Sequence, residues 1–276
     1  MKYSLKENYF DKFDTEEKLY LLGLLFADGC NSGDNISIGL SGDDRYLLER
    51  ISEQIYENHR PLIVSKLSNK NSNYQDSYRL YICGREVCKK FEEKGLSKNK
   101  TYNLKFPDIV DDEFKFKHFL RGYFDGDGSV IIQKDRISFS IVGYSSFLSE
   151  LKFNMEKYIN IKIVNKIYDT SSFAKELKIS SRSIVRKIYK FMYNESTIYL
   201  SRKKIKFDNY FNIPKFKTDM IKSSKYKWVT FDKKRNKWKS SVWKNGKNNN
   251  LGRFDSEIEA YNCAINFLNN KIFSKK

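Results

Sequence analysis

A chain of 276 residues with 40% hydrophobic and 16% aromatic content can bury a substantial core and is too apolar to be disordered. Its net charge of +18 is lopsided: residues 200–276 hold 20 Lys and Arg against 6 Asp and Glu, leaving a surplus of only four for the rest. That basic block calls for a polyanionic partner, and without an 18-residue apolar run or a basic amphipathic helix a membrane is a poor candidate.

Met1 leads into acidic sequence and not into an apolar leader, so a soluble intracellular protein is expected. Met1 is not a nucleophile and Lys276 is not an asparagine, so no self-splicing intein is expected either. Cys30, Cys83, Cys88 and Cys263 have no C-x-x-C spacing, which speaks against zinc and a disulfide framework. The two histidines, His59 and His118, read as surface residues and leave little room for a histidine-based nuclease.

From the N-terminus, Phe13, Leu19, Leu22 and Phe26 predict a helix over 13–27, closed by Asp28-Gly29. Ile36 to Leu40 follows as a half-buried strand, and Gly42-Asp43-Asp44 opens a helix through Leu47, Leu48, Ile51 and Ile55. Beyond Pro61, strands are expected over 62–67 and 78–83, then a helix over 85–94 stopped by Gly95. The same parts then recur. Leu120 to Gly128 repeats Leu21 to Gly29 at an offset of 99, and Ile137–Ile141 answers Ile36–Leu40. Phe147-Leu148 answers Tyr46-Leu47, and Leu177–Ser180 with Arg182 answers Leu80–Cys83 with Arg85.

Gly23 and Ala27 share a helix face, as do Gly122 and Gly126. Glycine inside a helix costs about 1 kcal/mol against alanine, so a repeated small-residue face needs a reason. Close approach of the two helices supplies one, and it brings Asp28 and Asp127 side by side. Two carboxylates at adjoining helix C-termini repel each other and face two negative dipole ends, an arrangement that oxygen-seeking Mg²⁺ suits.

These two stretches, each ending in acid-glycine, resemble the signature of the LAGLIDADG homing endonucleases in the single-chain, two-motif form, over roughly residues 7–211. The second copy matches more closely; the first has Phe26 where the signature has its first aspartate. The resemblance implies an α+β fold of tandem αββαββα repeats about a pseudo-twofold axis, repeat 1 over 7–110 and repeat 2 over 111–211. It implies an intron-homing type of enzyme, a monomer that cuts both strands of duplex DNA with Mg²⁺ or Mn²⁺ on Asp28 and Asp127. Lys100 and Lys203, on segments matching the family's lysine-bearing stretches, would by that resemblance sit near the metal site and stabilise charge on the transferring phosphate or position the attacking water, with Arg202 competing with Lys203. The alternative on the same scaffold is a non-cleaving binder, an RNA maturase or a DNA-binding regulator.

Residues 212–223 read as a linker, and 224–270 as a separate module. Strands are expected at Trp228–Phe231 and Lys237–Trp243 and up to Phe254, with Asn245-Gly246 as a hairpin turn and Ser256 capping a final helix. The hairpin, Leu251-Gly252, Phe254-Asp255 and Glu259-Ala260 resemble the plant ethylene-response-factor (ERF, APETALA-type) DNA-binding domain, though Trp228 stands where that family usually has glycine. The resemblance implies DNA contacts from Arg235, Lys237, Trp238 and Lys239, with Trp243 a further candidate; either tryptophan could instead pack under the helix.

Overall fold

The computed structural model describes residues 3–65, 76–98, 104–164, 167–170, 174–212, 224–232, 234–244 and 246–269. Lys100, Asn245, most of the expected linker and most of the polar loop after Ser65 lie outside the described residues. Two compact units are present, Met1–Ile213 and Pro214–Lys276. Among the described residues no helix is long and apolar enough to cross a membrane.

The first unit writes one pattern twice. Helix α1 (Glu16–Asp28) leads into β1 (Cys30–Asn31), β2 (Asn35–Ser41), α2 (Arg45–Ile55), β3 (Ile63–Ser65), β4 (Ser77–Cys83) and α3 (Arg85–Glu93). The second copy runs α4 (Glu113–Asp127), β5 (Gly128–Gln133), β6 (Arg136–Gly143), α5 (Ser145–Ile159), β7 (Ile167–Asp169), β8 (Lys175–Ile179) and α6 (Arg182–Tyr193). A further helix, α7 (Ser201–Phe211), follows it. Each copy builds a four-stranded antiparallel sheet of the same order, β1-β2-β4-β3 and β5-β6-β8-β7. The fold is therefore α+β with two αββαββα repeats.

Local chemistry sets the helix starts. α1 begins at Glu16 and not at Phe13, because the Thr15 hydroxyl accepts the Lys18 amide and fixes the cap. The Asp112 carboxylate caps α4 in the same way through Lys115. All residues from Leu19 to Ala27 are buried, so this part of α1 is apolar on every side and belongs at the centre of a core. It packs against α4 with backbone touching backbone. A Cβ at Gly23 would stand 2.8 Å from the Tyr123 amide nitrogen and closer still to the Phe119 carbonyl oxygen. At Gly122 it would stand 2.9 Å from the Leu24 nitrogen and closer still to the Tyr20 carbonyl oxygen. Only glycine permits that approach. Around it Phe26, Phe119, Tyr123 and Phe147 make edge, tilted and stacked ring contacts.

One sequence expectation fails here. His118 is buried on α4, its Nδ1 2.8 Å from Arg121 and 3.8 Å from Glu16. Burial and the Arg121 guanidinium push its pKa down to about 4, so it is neutral in the folded chain. The unfolded chain binds a proton near pH 6.5 that the native state refuses until about pH 4. Stability is then full above pH 6.5 and falls on acidification through that window. Urea titrations at pH 7 and pH 5 should show the loss, and His118→Gln should reduce its pH dependence; equal slopes in both proteins contradict this.

In the second unit β9 (Val229–Asp232), β10 (Lys237–Lys244) and β11 (Lys247–Phe254) form an antiparallel sheet ordered β11-β10-β9, and α8 (Glu257–Asn269) packs on one face. The Ser256 hydroxyl accepts the Ile258 amide at the start of α8. Trp228 has φ of 69°, the left-handed region that glycine fills at least cost. Trp228 therefore occupies a glycine-like conformation just before β9.

Candidate functional site

The packing of α1 on α4 decides where the two acids lie. Each is the last residue of its helix, Asp28 exposed and Asp127 half-buried. A Cβ built on Gly126 would meet the Ala27 side chain and lie 3.1 Å from Asp28 Oδ2. The Asp28 carboxylate thus rests against the residue preceding Asp127. The buried Tyr123 phenol senses both: burial, then the charges of Asp127 and Asp28, push its pKa well above the usual value. Its hydroxyl is also 3.1 Å from the Val142 carbonyl.

Behind the acids sits Lys203, only 5% exposed. Its Nζ donates to the carbonyls of Phe124 (2.8 Å), Asp125 (2.6 Å), Gly126 (3.1 Å) and Gly128 (2.7 Å). Burial lowers its pKa to about 8, while Asp125, Asp28 and Asp127 act in the opposite direction. Arg202, the competing basic residue, is instead paired with buried Asp44 at 2.8 Å.

A polar network that sequence reading missed holds this arrangement. The buried Asp125 carboxylate accepts from the Tyr20 hydroxyl (2.7 Å), the Tyr193 hydroxyl (3.2 Å) and the Leu200 amide (2.7 Å). Burial raises its pKa to about 6 against the pull of those donors. Fully buried Arg121 donates to the Ile198 and Met192 carbonyls, Ser196 and Glu16. Together they tie α1, α4 and the 194–200 segment into one body. The available signal was the mismatch between Phe26 and Asp125 at equivalent positions, since a charge in the middle of a core helix requires partners.

Sequence comparison shows the family of the two repeats. The pattern of the LAGLIDADG-like domain matches residues 15–94 and again 117–191, one match per repeat. The chain belongs to the LAGLIDADG-like domain family. No curated protein matches its sequence. Among solved structures it is similar to I-SmaMI bound to an uncleaved DNA target in the presence of calcium ions, at 16% identity and a TM-score of 0.44, over 69% of this chain and 88% of that one. It is also similar to I-LtrWI, a LAGLIDADG homing endonuclease bound to target DNA, at 13% identity and a TM-score of 0.47, over 71% and 88%. Full-length DUF199/WhiA from Thermatoga maritima matches at 17% identity and a TM-score of 0.47, over 73% and 62%.

In this LAGLIDADG-like chain the donor set fits a divalent cation of the Mg²⁺ type: two carboxylates converge at two helix C-termini. Among the described residues no group of three or more His, Cys, Asp and Glu side chains comes together. Remaining ligands would have to be water and substrate phosphate, which is how Mg²⁺ is commonly held.

The basic and aromatic residues of the C-terminal unit divide between two faces. Ser240 and Val242 are buried together with Val229 and with Ala260 and Ala264 of α8, so alternation along β10 puts Trp238 on the helix side. There its ring meets Phe231 edge-on at 4.9 Å. Lys237, Lys239, Ser241 and Trp243 fall on the open face, where Trp243 is 71% exposed. Arg235 and Arg253 both reach Asp232, and Lys237 reaches Asp255.

Proposed function

We propose that this chain is an intracellular, monomeric, metal-dependent endonuclease that hydrolyses phosphodiester bonds in both strands of a duplex DNA site. The observation that carries the reading is the pair Asp28 and Asp127, presented side by side at the ends of two glycine-packed helices. A protein that only binds has no use for two carboxylates held together at the negative ends of two dipoles. Asp28 and Asp127 would hold Mg²⁺ or Mn²⁺, which supplies an activated water and charge compensation for an in-line displacement. The backbone contact of α1 on α4 keeps the acids at a fixed separation. One acid per repeat suits a duplex, whose strands are related by a local twofold axis. Lys100 and Lys203 are the basic partners suggested by the family resemblance. The open sheet faces, where half-buried Ser138 stands between buried Ile137 and Phe139, would lie along the major groove.

The C-terminal unit, residues 224–270 beyond a 212–223 linker, we read as an ERF-like second DNA contact. Its open face supports this through Lys237, Lys239, Trp243 and the neighbouring Arg235 and Arg253; Trp238, which packs against Phe231, belongs to the fold of that unit. Removing residues 222–276 should weaken duplex binding and flatten its salt dependence, each lost phosphate contact taking about 0.9 from the slope of log K against log salt. The truncated chain should still cut at high protein concentration, because tethering adds effective concentration and no chemistry. An unchanged salt slope would remove the DNA-binding assignment of the unit. Binding without cutting at any concentration would place part of the active site in it.

One observation favours the second reading, a non-cleaving nucleic-acid binder such as a maturase or regulator: the Lys203 ammonium is already engaged by backbone carbonyls. A randomised duplex library separates the two. With Mg²⁺ the nuclease reading expects paired new ends at one long site, and none with chelator; enrichment of bound duplexes without new ends supports the binder.

A further inference from the structure

An ammonium group has three N–H donors, and Lys203 meets four carbonyl oxygens within 3.1 Å. Three of them belong to the last turn of α4: the Phe124 carbonyl also accepts the Gly128 amide, while those of Asp125 and Gly126 are among the helix-final carbonyls that the helix itself leaves without a partner. The lysine is thus a side-chain cap on the helix that ends in Asp127. It cannot donate to a substrate phosphate without abandoning that cap.

The position of Lys203 is itself fixed from α4. The Asp125 carboxylate holds the Leu200 amide at 2.7 Å, just ahead of α7, and the Leu200 carbonyl in turn accepts the Lys203 amide at 3.0 Å. Phe207, one turn further along α7, packs against Phe124 with ring centroids 5.9 Å apart. α4 therefore grips the start of α7, and α7 returns a positive charge to the end of α4. The first repeat has Phe26 at the position of Asp125, so the carboxylate grip is particular to the second repeat.

We propose that Lys203 is a positioning residue for the Asp28–Asp127 pair: its ammonium caps the C-terminus of α4, offsets the negative charge gathered there and fixes the carboxylate of Asp127 for a divalent cation. It does not touch the phosphate or the attacking water. This rests on the endonuclease reading above, in which the two acids are the metal ligands.

The test is a titration of the full chain with Mn²⁺, read by the electron paramagnetic resonance signal of the free ion, well below the melting temperature of every variant. Lys203→Met keeps the length and apolar stem but removes the charge and the donors. It should bind Mn²⁺ about tenfold more weakly, the low end of what losing an outer-shell partner costs. Phe211→Leu, which loosens the far end of the same helix where Phe211 stacks on Tyr189, away from α4 and the ammonium, should keep the affinity of the parent chain. If Lys203→Met does not fold, Lys203→Gln carries the same expectation, since an amide retains donors without charge. Parent-like Mn²⁺ affinity in the Lys203 variant, with loss confined to turnover at saturating metal, would overturn the proposal and return the lysine to the phosphate. Equal losses in the Lys203 and Phe211 variants would also overturn it, because the effect would be one of general stability. Absence of Mn²⁺ binding by the parent chain would overturn the endonuclease reading, and the proposal with it.

Discussion

Asp28→Asn and Asp127→Asn are each expected to abolish double-strand cleavage, while duplex affinity should stay within a few-fold of the parent chain. Asparagine matches aspartate in shape but brings no charge and turns one oxygen ligand into an N–H₂ donor. A loss of about 10³-fold in rate corresponds to about 4 kcal/mol of transition-state stabilisation, the scale at which metal-ion catalysis works. Folding should not suffer. The two carboxylates repel each other and the dipole ends of α1 and α4, so removing one charge leaves the metal-free protein as stable as before or more so. Cleavage, filter binding and thermal melting on the same preparations distinguish this from unfolding, which would lower all three. Full cleavage by either variant contradicts the assignment of the acids.

A second large effect is expected at the helix crossing. Gly122→Ala should destabilise the chain, although alanine is favoured over glycine in a helix by about 1 kcal/mol. The added methyl would press on the Tyr20 carbonyl and on the Leu24 nitrogen at 2.9 Å, and backbone has no rotamer with which to yield. Overpacking of this kind costs about 3 kcal/mol, so the net loss is about 2 kcal/mol, or a fall in melting temperature of about 4–8 °C for a unit of this size. Gly39→Ala is the control: its Cβ finds nothing closer than 3.5 Å and its backbone is not left-handed, so the melting temperature should barely move. An unchanged melting temperature in the Gly122 variant would mean that α1 and α4 do not pack as described.

The glycine face was legible because it breaks a rule of helices twice at the same offset, and backbone contact between α1 and α4 is the only economical cause. The strand and helix order of both repeats was legible for the same reason, one copy serving as a check on the other. Three features were not. His118 follows Lys115 and Lys117 on its helix, yet it is the companion of Arg121, whose partners Glu16, Met192 and Ile198 are 71 or more residues away. The function of Lys203 is written in four backbone carbonyls, which no side-chain pattern records. The choice between Trp238 and Trp243 depends on which face of a three-stranded sheet the helix covers, and period-two alternation marks two faces without saying which is inside. The buried Ser240 and Val242 supply that missing fact.

The central claim is that Asp28 and Asp127 together hold a divalent cation against duplex DNA. Its most direct measurement is anomalous diffraction at the manganese edge from crystals of the full chain bound to its selected duplex and soaked in Mn²⁺. The account predicts an anomalous peak between the two helix ends, within about 2.0–2.3 Å of a carboxylate oxygen of Asp28 or Asp127 and of a phosphate oxygen, the range for small oxygen-bound cations. A bound duplex with no peak there, or with Mn²⁺ held by other side chains, would contradict it.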